Sequence, residues 1–184
     1  MLFRSDQRGH GDSDWAGDGD YSIEAQQKDI DGFVQAVALD GFTLMGHSMG
    51  GRNSYVWASR HPGALKALVI VDTGPQTQRA GSNRIQQFKE LPDELDSFDD
   101  FVQRVQEYTG RSQEQVLGAL KYSIRQRTDG KWTWKYDKVM RTPGARPPGW
   151  TSEQLWDCVG KIDCPTPVLR GDRDDILAVE TMRR

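Results

Sequence analysis

The sequence predicts an α/β protein, a parallel sheet covered by helices, on three observations. Apolar runs of strand length at 42–45, 67–71 and 167–170 are separated by stretches of helical length, and strands joined by such crossovers lie parallel. The run Ala67-Leu68-Val69-Ile70-Val71 has no polar alternation, as expected of a strand covered on both faces. Two of the runs end in chemistry-bearing loops, Gly46-His47-Ser48-Met49-Gly50 and Gly171-Asp172-Arg173-Asp174-Asp175; parallel sheets place ligands at the carboxyl ends of their strands.

Each element has its own local reason. Leu2-Phe3-Arg4 reads as the end of a strand, followed by the glycine-punctuated loop Gln7-Arg8-Gly9-His10-Gly11-Asp12-Ser13. Ser22 is placed to cap a helix whose Ile30, Phe33, Val34 and Val37 share one face, closed by Asp40-Gly41. The strand 42–45 leads into Ser48 and a helix to Arg60, stopped by His61-Pro62. From 75 to 150 the pattern becomes helical, with helices predicted at 82–91, 97–108 and 112–127. The last opens on a Ser112/Gln115 capping box, with Val116, Leu117, Leu120 and Ile124 as its stripe. Lys131 to Asp137 alternates aromatic and polar residues, so it is extended, and 141–149, with three prolines, is an irregular connector. Thr151 with Gln154 caps a helix to about Val159, and Pro167-Val168-Leu169-Arg170 is the closing strand.

The bounds are those of one domain with a modest insertion, at 184 residues. A net charge of -3, from 24 basic and 27 acidic residues, offers no field for nucleic acid and no polybasic membrane patch. No apolar run reaches the ~18 residues of a membrane span, and no secretion signal opens the chain. A small-molecule partner and a cytoplasmic location are expected, with the oligomeric state open. Cys158 and Cys164 lack a metal-ligand pattern and read as reduced thiols.

Ser48 carries the chemistry. A serine at the apex of a strand-to-helix turn sits in a strained backbone, with its hydroxyl held out towards substrate. Gly46 and Gly50 flank it where side chains would collide with the neighbouring strand and helix. The amide of Met49, opening the helix, can donate to the oxyanion formed when Ser48 attacks a carbonyl. A Gly-x-Ser-x-Gly string also arises by chance in a chain with 19 glycines, so context decides.

That context is the order of three motifs: the loop 6–13, the turn Gly46-His47-Ser48-Met49-Gly50-Gly51, and the closing Leu169-Arg170-Gly171-Asp172-Arg173-Asp174. Together they resemble the α/β-hydrolase superfamily, in its serine esterase and lipase-like branch with a helical cap. The resemblance implies that Ser48 is the nucleophile, Met49 an oxyanion-hole donor and Asp174 the acid, with Asp72, after the strand 67–71, as the alternative acid. Gly46, His47, Gly50 and His10 would shape the site. It further implies an α/β-hydrolase core at 1–74 and 151–184, a cap at 75–150, and no metal or organic cofactor.

The chain also departs from the family pattern. The family's histidine is expected some two dozen residues after the acid, whereas here Arg184 follows Asp174 by ten and His10, His47 and His61 all precede it. The expectation is a chain incomplete at both termini, missing the family's opening strands and its second oxyanion amide as well as that histidine, and inactive or weak in this form; His10 as a substitute base is the alternative. The implied activity is hydrolysis of a small carboxylic ester through an acyl-enzyme on Ser48. Carbon–carbon bond hydrolysis, enol-lactone opening and cofactor-free haloperoxidase chemistry are alternatives on the same scaffold. A non-catalytic small-molecule or partner-binding relative is the alternative of another class. Trp132, Trp134 and Tyr136 would line a substrate pocket or pack the cap, and Arg52 would sit at a helix end unless the substrate is acidic.

Overall fold

The computed structural model describes residues 1–142, 149–172 and 174–184; most of the connector expected at 141–149 lies outside them. In chain order the elements are α1 (Ile23–Ala36), β1 (Phe42–His47), α2 (Met49–Arg60), β2 (Leu65–Val71), α3 (Arg79–Glu90), β3 (Glu94–Leu95), α4 (Phe98–Thr109), α5 (Gln113–Ser123), β4 (Ile124–Gln126), β5 (Trp132–Trp134), a 3-10 turn (Lys138–Arg141), α6 (Ser152–Val159), β6 (Val168–Leu169) and α7 (Val179–Arg183). They fall into two compact units, Ser22–Ile85 with Pro147–Arg184, and Met1–Tyr21 with Gln86–Arg146.

The first unit is built on a parallel sheet of order β1-β2-β6. Leu44 faces Leu68 and His47 faces Val71 across one ladder, and Val71 faces Leu169 across the other. Leu68, on the central strand, is fully buried. Tyr55, Val56, Trp57 and Ala58 of α2 form the core with Leu65, Leu68 and Ile70 of β2, Ile23 of α1, and Leu155 and Cys158 of α6. Ser22 caps α1 through the Ala25 amide, and Thr151 with Gln154 caps α6 reciprocally, as the local spacing requires. Cys158 and Cys164 are both free.

Of the expected face of α1, Ile30 and Val34 pack against the core and Phe33 is exposed, while the buried residues of the helix are Ile23, Ala25, Gln26 and Gln27. Gln27 reaches α2, donating from Nε2 to the Asn53 carbonyl at 3.2 Å. An apolar-periodicity rule is blind to such a face, because glutamine is ordinarily a surface residue.

The second unit carries an antiparallel sheet of order β3-β5-β4 beside its helices; β5 falls in the stretch 131–137 expected to be extended, whereas β3 and β4 lie where the sequence predicted none. Phe101 and Val102 of α4, Val116 and Leu120 of α5, and Ile124 make its core, with Trp132 and Trp134 packed against them. The helix predicted over 112–127 ends at Ser123. Ile124 takes φ -127°, ψ 161° and pairs with Trp134, so one stripe of apolar residues serves two elements. Cross-strand pairing of the β-branched Ile124 with the aromatic Trp134 outweighs a last helical turn over 124–127.

Residues 2–4 form no strand either. Leu2 and Phe3 are exposed, and an apolar segment becomes a strand only where a ladder partner takes its backbone groups. The glycine loop that follows is stitched to β5's extension: the Gly11 amide donates to the Lys135 carbonyl at 2.7 Å, and the Asp137 amide to the Gly9 carbonyl at 2.9 Å. His10 bridges Tyr136 in antiparallel fashion.

Candidate active site

The turn between β1 and α2 places Ser48 in the left-handed region, φ 52°, ψ -118°, where a side chain is strained and persists only if its surroundings enforce it. They do so through backbone bonds. The Ser48 amide donates to the Val71 carbonyl at 2.8 Å, and its carbonyl accepts the Arg52 amide at 3.1 Å, starting α2. The hydroxyl makes no capping bond, so it is not consumed in holding the helix. Met49 is the first helical residue, and amides of a first turn have no partner within the helix.

Glycine is required around this turn by close approach. A Cβ on Gly46 would fall 2.5 Å from Ser54 Oγ and strike the Gly50 carbonyl. A Cβ on Gly51 would meet Thr73 at 2.6 Å and the Gly46 carbonyl at 2.9 Å. Gly50 supplies the carbonyl that accepts the Ser54 hydroxyl at 2.8 Å.

Two carboxylates stand at the ends of the neighbouring strands. Asp72, directly after β2, also has a left-handed φ of 50°. Its Oδ1 accepts the Gly171 amide at 2.8 Å, and its Oδ2 lies 3.8 Å from His47 Nε2. Asp174 follows β6 and is held in a tight loop, with Oδ1 accepting the Ile176 amide at 2.8 Å and Oδ2 the Leu177 amide at 3.1 Å. Each oxygen keeps a lone pair for a further donor.

Sequence reasoning assigns no role to Arg170, yet it braces that loop. Its guanidinium donates to the carbonyls of Leu177 at 2.6 Å, Gly171 at 2.8 Å and Asp174 at 2.5 Å. Arg84 of α3 pairs with Asp175 at 2.9 Å, and Leu177 is buried. The only local signal was an arginine immediately before Gly171-Asp172 at a strand end.

The other candidates are placed as follows. His47 is largely exposed, 68% of its side chain open to solvent. His61 closes α2, with Nδ1 at 2.8 Å from the Trp57 carbonyl and Nε2 at 3.1 Å from Asp31. In the other unit, His10 Nδ1 lies 3.2 Å from the Arg8 carbonyl. There too, Trp134 meets Phe101 edge-on and stacks with Tyr136, Trp132 meets Phe98 edge-on, and the Tyr136 hydroxyl donates to Asp93. Burial, and then that bond to Asp93, push the Tyr136 phenol above its ordinary range. These aromatic rings are part of the unit's packing.

Fold and site together define an α/β protein that presents a serine hydroxyl and two carboxylates at the carboxyl ends of parallel strands. The family model of the alpha/beta hydrolase fold matches residues 2–166, and the chain belongs to that family. The matched segment contains Ser48 and Asp72 but stops short of Asp174. Among curated proteins, the chain is 27% identical to a Bacillus subtilis protein provisionally named 2-succinyl-6-hydroxy-2,4-cyclohexadiene-1-carboxylate synthase, over 95% of this chain and 64% of that one. It is 26% identical to an esterase of Mycobacterium tuberculosis, over 90% of this chain and 56% of the other. Among solved structures, an alpha/beta hydrolase from Novosphingobium aromaticivorans superposes with a TM-score of 0.79 at 25% identity, covering 96% of this chain and 65% of that one. The chain thus spans less than two thirds of the length of these relatives. Among the described residues no helix is long and apolar enough to cross a membrane.

Proposed function

We propose that the protein is a cytoplasmic serine hydrolase that cleaves a small ester, or a related carbonyl compound, through an acyl-enzyme on Ser48. The observation that carries this reading is the state of Ser48: a left-handed residue between a parallel strand and a helix, its hydroxyl free of capping duty. In this mechanism Ser48 Oγ attacks the carbonyl carbon while a base takes its proton. The resulting oxyanion accepts the Met49 amide at the start of α2. Collapse expels the alcohol, which takes up the proton, and water then releases the acid from Ser48. Asp174 orients and charge-stabilises the base. In the unit that holds Ser48, neither His47 nor His61 bonds to it, so the reading requires a histidine that these contacts do not supply.

Residues 75–150, most of which belong to the unit of 1–21 and 86–146, are proposed as the cap that sets substrate choice. Trp132, Trp134 and Tyr136 enter as pocket candidates, although their ring contacts favour packing. An acidic substrate is the second reading, favoured by the carboxylate in the name of the Bacillus relative; Arg52, in the first turn of α2, would then meet that carboxylate.

The test is covalent labelling with a fluorophosphonate, read by intact mass, on the 184-residue chain and on the chain with its genomic flanking sequence, each beside Ser48→Ala. Labelling that disappears in Ser48→Ala is the expected result. Absence of labelling in both forms would overturn the hydrolase reading in favour of a binding protein. The acidic reading predicts that Arg52→Gln raises KM for a dicarboxylate monoester and leaves a neutral ester unaffected.

A further inference from the structure

Asp72 touches both of its neighbouring strands' ends, and this arrangement has a consequence for the site. From the end of the central strand, its amide donates to the Leu169 carbonyl at 2.9 Å, and its Oδ1 accepts the Gly171 amide at 2.8 Å. Its Oδ2 faces His47, the residue before Ser48, across 3.8 Å. Gly171 in turn accepts the Asp174 amide at 3.2 Å, closing the turn that holds the second carboxylate. The side chain therefore lies between the strand that delivers Ser48 and the loop that delivers Asp174. Its own left-handed φ of 50° is a conformation that aspartate, asparagine and glycine adopt more readily than other residues.

We infer that Asp72 is a positioning residue: by holding the Gly171 amide it sets the loop bearing Asp174 against the Ser48 turn, and it is not itself the acid of the reaction. The inference rests on the serine hydrolase reading. The bond from the Gly171 amide to Asp72 Oδ1 is one that the side-chain oxygen of an asparagine can accept equally well. A triad acid differs sharply here, since replacing such a carboxylate by its amide costs about 10⁴ in rate through the wrong histidine tautomer.

The test compares Asp72→Asn and Asp72→Gly in the chain with its flanking sequence, reading the rate of fluorophosphonate attack on Ser48 and hydrogen exchange at the Gly171 amide. Both replacements tolerate the left-handed backbone, but only asparagine keeps an acceptor for Gly171. Asp72→Asn should label within about threefold of the parent with Gly171 protected. Asp72→Gly should lose about tenfold or more in labelling, with Gly171 exchanging faster, on the scale that misplacing a catalytic group produces. An Asp72→Asn protein as unreactive as Asp72→Gly, with Gly171 still protected, would make Asp72 the acid and overturn the inference. Unchanged labelling or unchanged exchange in Asp72→Gly would overturn it as well. A parent protein that fails to label at all sinks the hydrolase reading and the positioning role with it, while the exchange data still report separately whether the Asp72 to Gly171 bond exists.

Discussion

Asp31 of α1 accepts the indole N–H of Trp57 of α2 at 2.7 Å, and that indole is 2% exposed. The bond fixes α1 to α2, the helix that follows Ser48. His61 stacks on Trp57 at 4.1 Å and approaches the same carboxylate. Removing the acceptor strands a buried donor, so Asp31→Ala should destabilise the fold by about 2 kcal/mol. Asp31→Asn, which retains an oxygen, should lose less than half of that. Urea melts of the two variants decide; equal losses would mean that the hydrogen bond is not what matters.

Glycine replacements should separate by position. Gly46→Ala puts a methyl 2.5 Å from Ser54 Oγ and into the Gly50 carbonyl, and it should cost about 3 kcal/mol or prevent folding. Gly32→Ala in α1 and Gly118→Ala in α5 meet nothing within 4 Å, and each should gain about 0.5–1 kcal/mol from helix propensity. Thermal melts that rank the three otherwise would contradict the close approach at the Ser48 turn.

Arg170→Lys keeps the charge but cannot reach three carbonyls from one planar fork. If the loop at 171–177 positions the acid, labelling of Ser48 should fall about tenfold or more, and the Ile176 and Leu177 amides bonded to Asp174 should exchange faster. A lysine variant with unchanged labelling would separate the loop from the chemistry.

Alkaline pH should destabilise the protein through specific phenols. Burial is the main cause raising the pKa of Tyr21, Tyr55 and Tyr136 above the ordinary value of 10.0, and for Tyr21 and Tyr136 the bonds to Asp137 and Asp93 add to it. A raised folded pKa contributes stability that is complete below the unfolded value and lost as pH climbs towards the folded one. These three tyrosines should therefore ionise late and together with unfolding in a spectrophotometric titration. Ionisation of all five tyrosines in one early step, with the fold intact, would refute this.

On the acid side the unit of 1–21 and 86–146 has its own weak point. The hydrogen bond from Lys138 holds the Glu94 carboxyl below its ordinary 4.5, and the bond from Arg127 holds Asp129 below its ordinary 3.8. Depressed folded values contribute stability above the unfolded pKa and lose it as pH falls through the folded one. Asp129 is exposed and Glu94 about one third exposed, so salt should shrink the effect. Melting between about pH 6 and about pH 3 should show a smaller drop in Lys138→Met than in the parent.

Sequence alone determined the features whose causes lie within a few residues. The order of strand, tight turn and helix around Ser48 follows from an apolar run meeting glycines, and the capping boxes at Ser112 with Gln115 and Thr151 with Gln154 follow from a three-residue spacing. Tertiary structure decided the rest, because the deciding partners are remote in sequence. Ile124 leaves its helix to pair with Trp134, and residues 2–4 stay outside any ladder. Gln26 and Gln27 are buried against the grain of their polarity. Asp72, legible only as an alternative acid, and Arg170, given no role of its own, bond to the loop after β6. A hydrogen bond across 99 residues leaves no periodic trace in a sequence, since its partners are brought together only when the parallel strands that carry them align.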